Sequence, residues 1–157
     1  MLIASDSILN KIDERRLSNR TKVKVRIFPG SVIRDFYSYL TPLLLKAPTY
    51  VILHVSTNDC VSKQPDIIVQ ELLNLKKFIE EQLPDCTVII SEPVIRTDNF
   101  IAANNVKVVG KMLSLLNIYR MDNCNIEPKH LGKGGLHLND YGTKRMALNL
   151  ITLLRNL

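Results

Sequence analysis

Two residues at opposite ends of the chain have the chemistry of a nucleophile and a base. Ser7 follows a short apolar run near the N-terminus, and His137 lies in the segment GGLHLN (residues 134–139). A serine between a strand and a helix can present its hydroxyl beside backbone N–H groups that stabilise an oxyanion. Alone, however, such a serine is usually a helix N-cap, and a lone loop histidine is usually structural. The pair therefore predicts acyl transfer only if other segments supply the remaining groups.

Gly30 and Asn58 lie in two further loops that follow predicted strands. Each alone is typical of a turn, glycine for its backbone freedom and asparagine for its local hydrogen bonds. Two other histidines serve as comparisons, since His54 lies within a predicted strand and His130 in a loop without a motif. The carboxyl ends of parallel strands meet at one edge of a sheet, where ligands bind. We therefore expect the loops of Ser7, Gly30 and Asn58 to converge.

The elements that would position these residues alternate along the chain. Apolar runs rich in β-branched residues predict strands over residues 2–4, 23–28, 50–55, 87–91 and 118–122. Between them, helical spacing predicts helices over residues 8–17, 32–46, 68–79, 108–116 and 139–154. This alternation is typical of βαβ units. We expect one α/β domain over residues 1–157, a three-layer α/β/α sandwich with a five-stranded parallel sheet.

The second predicted strand differs from the others. Lys22, Lys24 and Arg26 alternate with apolar residues, so one face is basic, as on an exposed edge strand. An edge position for this strand fits the flavodoxin-like order 2-1-3-4-5, in which the first and third strands flank the ligand-binding crevice.

Four short blocks carry a more specific signal. In chain order they are SDSIL (5–9), PGSVIRD (29–35), HVSTND (54–59) and GGLHLNDYG (134–142). They resemble the GDSL, glycine, GxND and DxxH blocks of the SGNH (GDSL-like) hydrolase superfamily. Their combination looks most like the esterase domain of the first-open-reading-frame protein of LINE-type (non-LTR) retrotransposons. The resemblance implies a serine esterase or acetylesterase that uses no metal or organic cofactor.

The resemblance also assigns roles to matching positions. It implies that Ser7 attacks an ester or acetyl carbonyl and that His137 accepts the proton of its hydroxyl. It further implies an oxyanion hole made by the backbone N–H groups of Ser7 and Gly30 and the side-chain amide of Asn58. A nucleophile, a base and donors aimed at developing charge are together what acyl transfer requires.

Three positions depart from the pattern of that superfamily. Ser5 and Ser56 replace glycines, which adds side chains where a close backbone approach is expected. The acid of the DxxH block corresponds to Gly134. Losing the acid that orients the histidine costs about 10⁴ in turnover in well-studied serine hydrolases, so weak activity can survive.

Other groups are candidates for orienting the histidine. A backbone carbonyl of the loop 132–135 could fix its tautomer. Asp140 is another candidate, although its position favours a carboxylate in the first turn of a helix. Asp6 and Asp59 are expected to be accessory residues that brace their loops.

The net charge of +6 and a pI of about 9.3 are compatible with an anionic partner such as nucleic acid or anionic lipid. The densest basic region has two interpretations, a solvated surface with a protected edge strand, or an auxiliary surface for RNA or acidic lipid head groups. It comprises Arg15, Arg16, Arg20, Lys22, Lys24 and Arg26. No aromatic residues are interleaved with these cations, which argues against a base-stacking platform.

The three cysteines are an odd number without metal-ligand spacing, so free thiols and an intracellular (cytoplasmic) protein are expected. No transmembrane segment or signal peptide is predicted. Three functions remain open: a serine esterase acting on short acyl esters, an impaired pseudoenzyme that binds lipid, carbohydrate or another acylated ligand, and an RNA-associated module. The departures at Ser5, Ser56 and Gly134 favour the pseudoenzyme, whereas the retained nucleophile, base and amide donors favour the esterase.

Overall fold

A five-stranded parallel sheet forms the centre of the computed structural model, which describes residues 1–157. The strands lie in the order β2-β1-β3-β4-β5, which confirms the predicted topology. Their bounds are β1 (Leu2–Ser5), β2 (Lys24–Ile27), β3 (Tyr50–His54), β4 (Thr87–Ser91) and β5 (Arg120–Met121).

Four α-helices cover the two faces of the sheet, which completes the predicted α/β sandwich. Helices α1, α2 and α3 contribute to a cluster of 22 buried hydrophobic residues on one face. Helix α4 belongs to a second cluster of 14 buried hydrophobic residues on the other face. Alternation along the strands divides the core, since Val51 and Leu53 join the first cluster while Ile52 joins the second. The helices are α1 (Phe36–Leu44), α2 (Pro65–Gln82), α3 (Phe100–Ser114) and α4 (Asp140–Arg155).

The helix predicted over residues 8–17 was wrong. Two 3-10 turns, Ser7–Leu9 and Glu14–Arg16, stand in its place. Each turn is capped locally, because Asp6 accepts the N–H of Ile8 and Asp13 accepts the N–H of Arg15. The Asp13 cap lies inside the predicted span, and such a side-chain bond to nearby backbone competes with a continuous helix. The apolar residues that suggested a helix, Ile8, Leu9 and Leu17, are nonetheless buried in the core.

The prediction over residues 32–46 was right only in part, since it begins with a 3-10 turn (Ile33–Asp35) and becomes α-helical at Phe36. Helix α4 begins where the sequence predicted, because the side chain of Asn139 caps it by accepting the N–H of Gly142. This cap fixes the start of α4 immediately after the loop that carries His137.

The basic edge strand lies where the sequence placed it, but an acid partly neutralises it. Glu14 accepts the outward N–H of Val25 at 2.7 Å and pairs with Lys24 at 2.8 Å and Arg26 at 4.0 Å. These bonds protect part of the exposed edge from pairing with another chain. No helix of the chain has the length and apolar character needed to cross a bilayer.

Candidate active site

The predicted nucleophile and base lie within hydrogen-bond distance of each other. The hydroxyl of Ser7 is 3.0 Å from Nε2 of His137, although the two residues are 130 positions apart in the chain. Ser7 is half-buried in the turn that follows β1, and His137 is exposed in the loop before α4. This is the geometry in which an imidazole can take a proton from a serine hydroxyl.

The turn that presents Ser7 is set by its neighbour. Asp6 is buried, accepts the N–H of Ile8 at 3.0 Å, and donates its own N–H to the carbonyl of His54 at 3.2 Å. The turn is thereby joined to the end of β3. The backbone N–H of Ser7 makes no hydrogen bond within the protein, so it is free to donate to a ligand oxygen.

Gly30 has φ +76°, a conformation that L side chains rarely adopt. A Cβ built there would meet nothing within 4 Å, so the backbone conformation, rather than lack of space, favours glycine. Its N–H has no acceptor within the protein. The turn after β2 therefore offers a second free backbone donor.

Asn58 and Asp59 join their loop to the loop of Gly30. The amide of Asn58 donates to the carbonyl of Ser31 at 2.8 Å, which leaves its other N–H for a ligand. Asp59 accepts the N–H of Ile33 at 3.0 Å and pairs with Lys63 at 2.7 Å. Burial raises the pKa of the Asp59 carboxyl, and the bonds from Lys63 and Ile33 oppose that shift. Together these bonds hold two of the predicted oxyanion donors in adjoining, cross-linked loops.

Ser5 and Ser56, which stand where the resemblance predicts glycines, occupy contrasting backbones. Ser56 has φ +97°, so it retains a conformation suited to glycine despite its side chain. Ser5 is the last residue of β1 and has ordinary strand geometry. Both side chains are fully buried, and neither hydroxyl has a hydrogen-bond partner within the protein. The loop after β3 thus keeps its shape at a cost in strain and unsatisfied polarity.

No protein group is hydrogen-bonded to the Nδ1 side of the His137 imidazole. Its Nδ1 makes no hydrogen bond with the protein, and the loop carbonyls of Gly132 and Gly135 accept the N–H groups of Gly135 and Thr97 instead. Asp140 lies in the first turn of α4, with its side chain 86% exposed and 3.5 Å from Lys11. A Cβ added to Gly134 would meet nothing within 4 Å. Position 134, where the resemblance predicts an acid, therefore has room for a side chain.

The other two histidines are structural in this fold. His54 is fully buried, with Nδ1 2.7 Å from the hydroxyl of Ser91. Burial lowers the pKa of His54, and the charge of Asp6 opposes that shift. His130 accepts the backbone N–H of Glu127 at 2.9 Å. Of the three histidines, only His137 is hydrogen-bonded to Ser7.

Sequence reasoning missed a bridge between the loop of Asn58 and the loop of His137. Arg96 is only 4% exposed and lies in the segment after β4. It donates to the carbonyl of Thr57 at 2.7 Å and makes a bidentate pair with Asp98 at 2.7 and 2.6 Å. That pair holds the pKa of the Asp98 carboxyl below its usual value. The only available signal was the run RTD (96–98), which begins five residues after the end of the strand predicted over residues 87–91.

The surface beside His137 is an open depression of about 560 Å³ that Ser7, Gly30 and Asn58 do not line. Its lining residues are Asn10, Lys11, Gly132, His137, Leu138, Asn139, Asp140 and Tyr141. A separate cavity of about 480 Å³ lies between α3 and the loops after β4 and β5, and contains none of the predicted site residues. The candidate chemistry is therefore located at an accessible rim.

Solved structures share this fold over nearly the whole chain. A lipase/acylhydrolase from Enterococcus faecalis superposes with a TM-score of 0.73 at 16% identity, covering 99% of this chain and 95% of the other. A GDSL-like lipase from Bacteroides thetaiotaomicron has a TM-score of 0.77 at 13% identity, covering 99% and 87%. The esterase domain of the ORF1 protein from the zebrafish ZfL2-1 retrotransposon has a TM-score of 0.55 at 24% identity, covering 99% and 98%.

No protein-family model matches the sequence, and no curated protein matches it. The structural likenesses confirm at the level of the fold the resemblance that the four sequence blocks predicted.

Proposed function

We propose that this chain, which has the fold of the GDSL-like acylhydrolases, is a serine ester hydrolase that acts through an acyl-enzyme on Ser7. The observation that carries the proposal is the 3.0 Å contact between the hydroxyl of Ser7 and Nε2 of His137. It is supported by two backbone N–H groups without acceptors, those of Ser7 and Gly30, on the same rim of the sheet. The likeness to the zebrafish domain supports a retrotransposon protein as the context of the chain.

The reaction follows from these positions. The oxygen of Ser7 attacks the ester carbonyl while Nε2 of His137 accepts the hydroxyl proton. The carbonyl oxygen becomes an oxyanion, to which the N–H groups of Ser7 and Gly30 and the free amide N–H of Asn58 donate. Collapse of this intermediate breaks the bond to the alcohol, which leaves with the proton held by His137. Water then attacks the acyl-Ser7 ester while His137 accepts a proton from it. Collapse of this second intermediate breaks the bond to Ser7, whose oxygen takes the proton back from His137, and the carboxylic acid is released.

The surroundings of the site support a short acyl group. A long fatty chain gains affinity by burying apolar area, at roughly 25 cal/mol per Å². The depression beside His137 is open to solvent, so it cannot enclose a long acyl chain. This openness favours an acetyl or similarly short ester.

The activity is expected to be weak. Nothing in the protein bonds to Nδ1 of His137, so neither its tautomer nor the imidazolium formed during attack is stabilised there. The same observation favours the second candidate function, an impaired pseudoenzyme that uses the rim only to bind an acylated ligand.

Covalent labelling separates the two functions even when turnover is slow. A fluorophosphonate probe should modify wild type at Ser7, as located by mass spectrometry, and should leave Ser7→Ala unlabelled. His137→Ala should label much more slowly, and Ser114→Ala, which removes an exposed serine hydroxyl, serves as the matched control. Hydrolysis of p-nitrophenyl acetate by the same four proteins completes the test. Equal rates in wild type, Ser7→Ala and His137→Ala, without labelling of Ser7, would leave only the binding function.

A further inference from the structure

A three-residue segment after β4 contacts both loops that the proposed reaction needs. Arg96, at its start, donates Nη1 to the carbonyl of Thr57, the residue immediately before Asn58. Its Nε and Nη2 hold both carboxylate oxygens of Asp98. Fork-to-fork pairing of this kind restricts geometry more tightly than a single charge contact does. The conformation of the segment 96–98 is therefore tied to the loop of Asn58.

The middle of the same segment contacts the histidine loop. The N–H of Thr97 donates to the carbonyl of Gly135 at 2.7 Å. Gly135 has φ +69°, and a Cβ on it would lie 2.4 Å from Oγ1 of Thr97 and 2.9 Å from the backbone nitrogen of Asp98. Glycine is thus required at this point by both conformation and close approach. The contact is made two residues before His137.

The base of the histidine loop has a separate attachment. An antiparallel bridge joins Leu131 to Leu138, and the N–H of Gly132 donates to the carbonyl of His137 at 2.8 Å. These bonds fix where the loop starts and ends. The bond from Thr97 is what holds the tip of the loop to the segment after β4.

We propose that Arg96 and Asp98 are positioning residues that hold the imidazole of His137 against Ser7 by clamping the histidine loop to the loop of Asn58. The proposal rests on the proposed function. It also explains how His137 keeps its place although position 134 carries no acid: the backbone of the loop is restrained instead of the ring itself. Arg96 and Asp98 do not touch the substrate, and they act only through Thr97 and Gly135.

The test uses conservative variants, because removing one member of a buried ion pair can unfold a protein. Arg96→Lys keeps the charge but loses the bidentate fork, and Asp98→Asn keeps the shape but loses the charge. Glu81→Gln, which breaks the exposed pair of Lys77 and Glu81, is the matched control. Urea denaturation first establishes that each variant is folded under the assay conditions.

The first measurement is amide hydrogen exchange, which does not depend on activity. The amides of Thr97 and Gly135 should exchange about tenfold faster in Arg96→Lys and Asp98→Asn, while amides of the central strand β3 stay protected. Unchanged exchange at Thr97 and Gly135 in both variants would overturn the clamp, whether or not the wild type hydrolyses esters.

The second measurement is kinetic. Because misplacement by about 1 Å can cost about 10² in rate, kcat for p-nitrophenyl acetate should fall 10- to 100-fold, with KM changing less than about threefold. Adding Gly134→Asp to Arg96→Lys should recover kcat by a larger factor than Gly134→Asp gives in the wild type, since the new acid would orient the ring directly.

Two kinetic results would refute the positioning role, namely faster loop exchange with unaltered kcat, or a lower kcat that Gly134→Asp fails to rescue. Failure of the proposed function itself would be seen elsewhere, as the absence of any difference between wild type and Ser7→Ala.

Discussion

Replacing Gly134 by aspartate places a carboxylate three residues before His137. The superfamily that the sequence resembles has the acid of its DxxH block at this position. The structure permits the change, since a Cβ at Gly134 meets nothing within 4 Å and the residue is exposed. It also supplies the acceptor that is missing, because Nδ1 of His137 makes no hydrogen bond within the protein. We expect the variant to fold normally and to hydrolyse esters faster.

The size of the gain follows from the exposure of the site. A hydrogen bond to a charged group contributes roughly 1.5–3 kcal/mol when it is shielded from water. His137 is exposed, so solvent screening places the benefit at the low end. About 1.4 kcal/mol of transition-state stabilisation corresponds to an approximately tenfold rise in kcat/KM. The loss of about 10⁴ seen when a buried triad loses its acid is an upper bound.

The assay is the hydrolysis of p-nitrophenyl acetate at pH 7.5, with Ser7→Ala giving the background rate. Gly134→Asn is the matched control, because its side-chain oxygen can accept from Nδ1 but carries no charge. We expect Gly134→Asn to give a smaller gain than Gly134→Asp. If both variants match the wild type while Ser7→Ala is clearly slower, an unheld imidazole does not limit the reaction and this reasoning is wrong.

Three further outcomes are expected. Ser56→Gly should raise the free energy of unfolding, measured by urea denaturation, by about 1 kcal/mol because it relieves the backbone strain at φ +97°. Ser56→Ala removes only the hydroxyl and should raise the free energy of unfolding by less. Equal increases would show that the strain is not the cause. Because burial lowers the pKa of His54, the free energy of unfolding should decrease as the pH falls from 7 through about 6.5, where His54 takes up a proton in the unfolded chain but not in the folded protein. Urea titrations should show a slope of up to about 1.4 kcal/mol per pH unit, and His54→Asn should reduce this slope. If the basic surface binds RNA, the affinity for a uridine 20-mer, measured by fluorescence anisotropy, should fall with salt at a slope of log K against log salt no steeper than about −2. The reason is that only Arg16, Arg20 and Lys22 of its six cations lack an ion pair. A slope near zero would eliminate phosphate contacts, and a slope steeper than about −4 would show that other cations take part.

The sheet could be predicted from the sequence because its central strands are buried on both faces. The runs VIL in β3 and VII in β4 are continuously apolar, and the basic alternation around Lys24 distinguishes the edge strand. The edge position of that strand agreed with the predicted order 2-1-3-4-5. The meeting of Ser7 and His137 was also predictable, since both lie in loops at the carboxyl end of the sheet.

The helix predicted over residues 8–17 does not form because a local hydrogen bond from a side chain to the backbone competes with it. The apolar spacing there is compatible with a helix, but Asp13 caps a second turn inside the predicted span, and buried residues at irregular intervals fit both structures equally well. The role of Arg96 could not be predicted either, because its partners Thr57 and Asp98 are brought together only by the fold. The positive φ of Ser56 could not be predicted either, because serine as a residue type does not indicate a left-handed backbone in the way that glycine does.

The two halves of the site are held in different ways, and this difference determines which mutations matter. The oxyanion side is cross-linked by side chains, through Asn58 to Ser31 and Asp59 to Ile33, so its donors are ordered before a substrate arrives. On the histidine side the loop backbone is hydrogen-bonded to Thr97 and Gly132, but the ring of His137 makes a single hydrogen bond with the protein, to the hydroxyl of Ser7. Preorganised donors stabilise the oxyanion at no further cost, whereas a ring free at Nδ1 must be ordered in every turnover. The slow step should therefore respond to changes at Gly134 and Arg96, which order the ring, more than to changes that further stiffen the loops of Gly30 and Asn58.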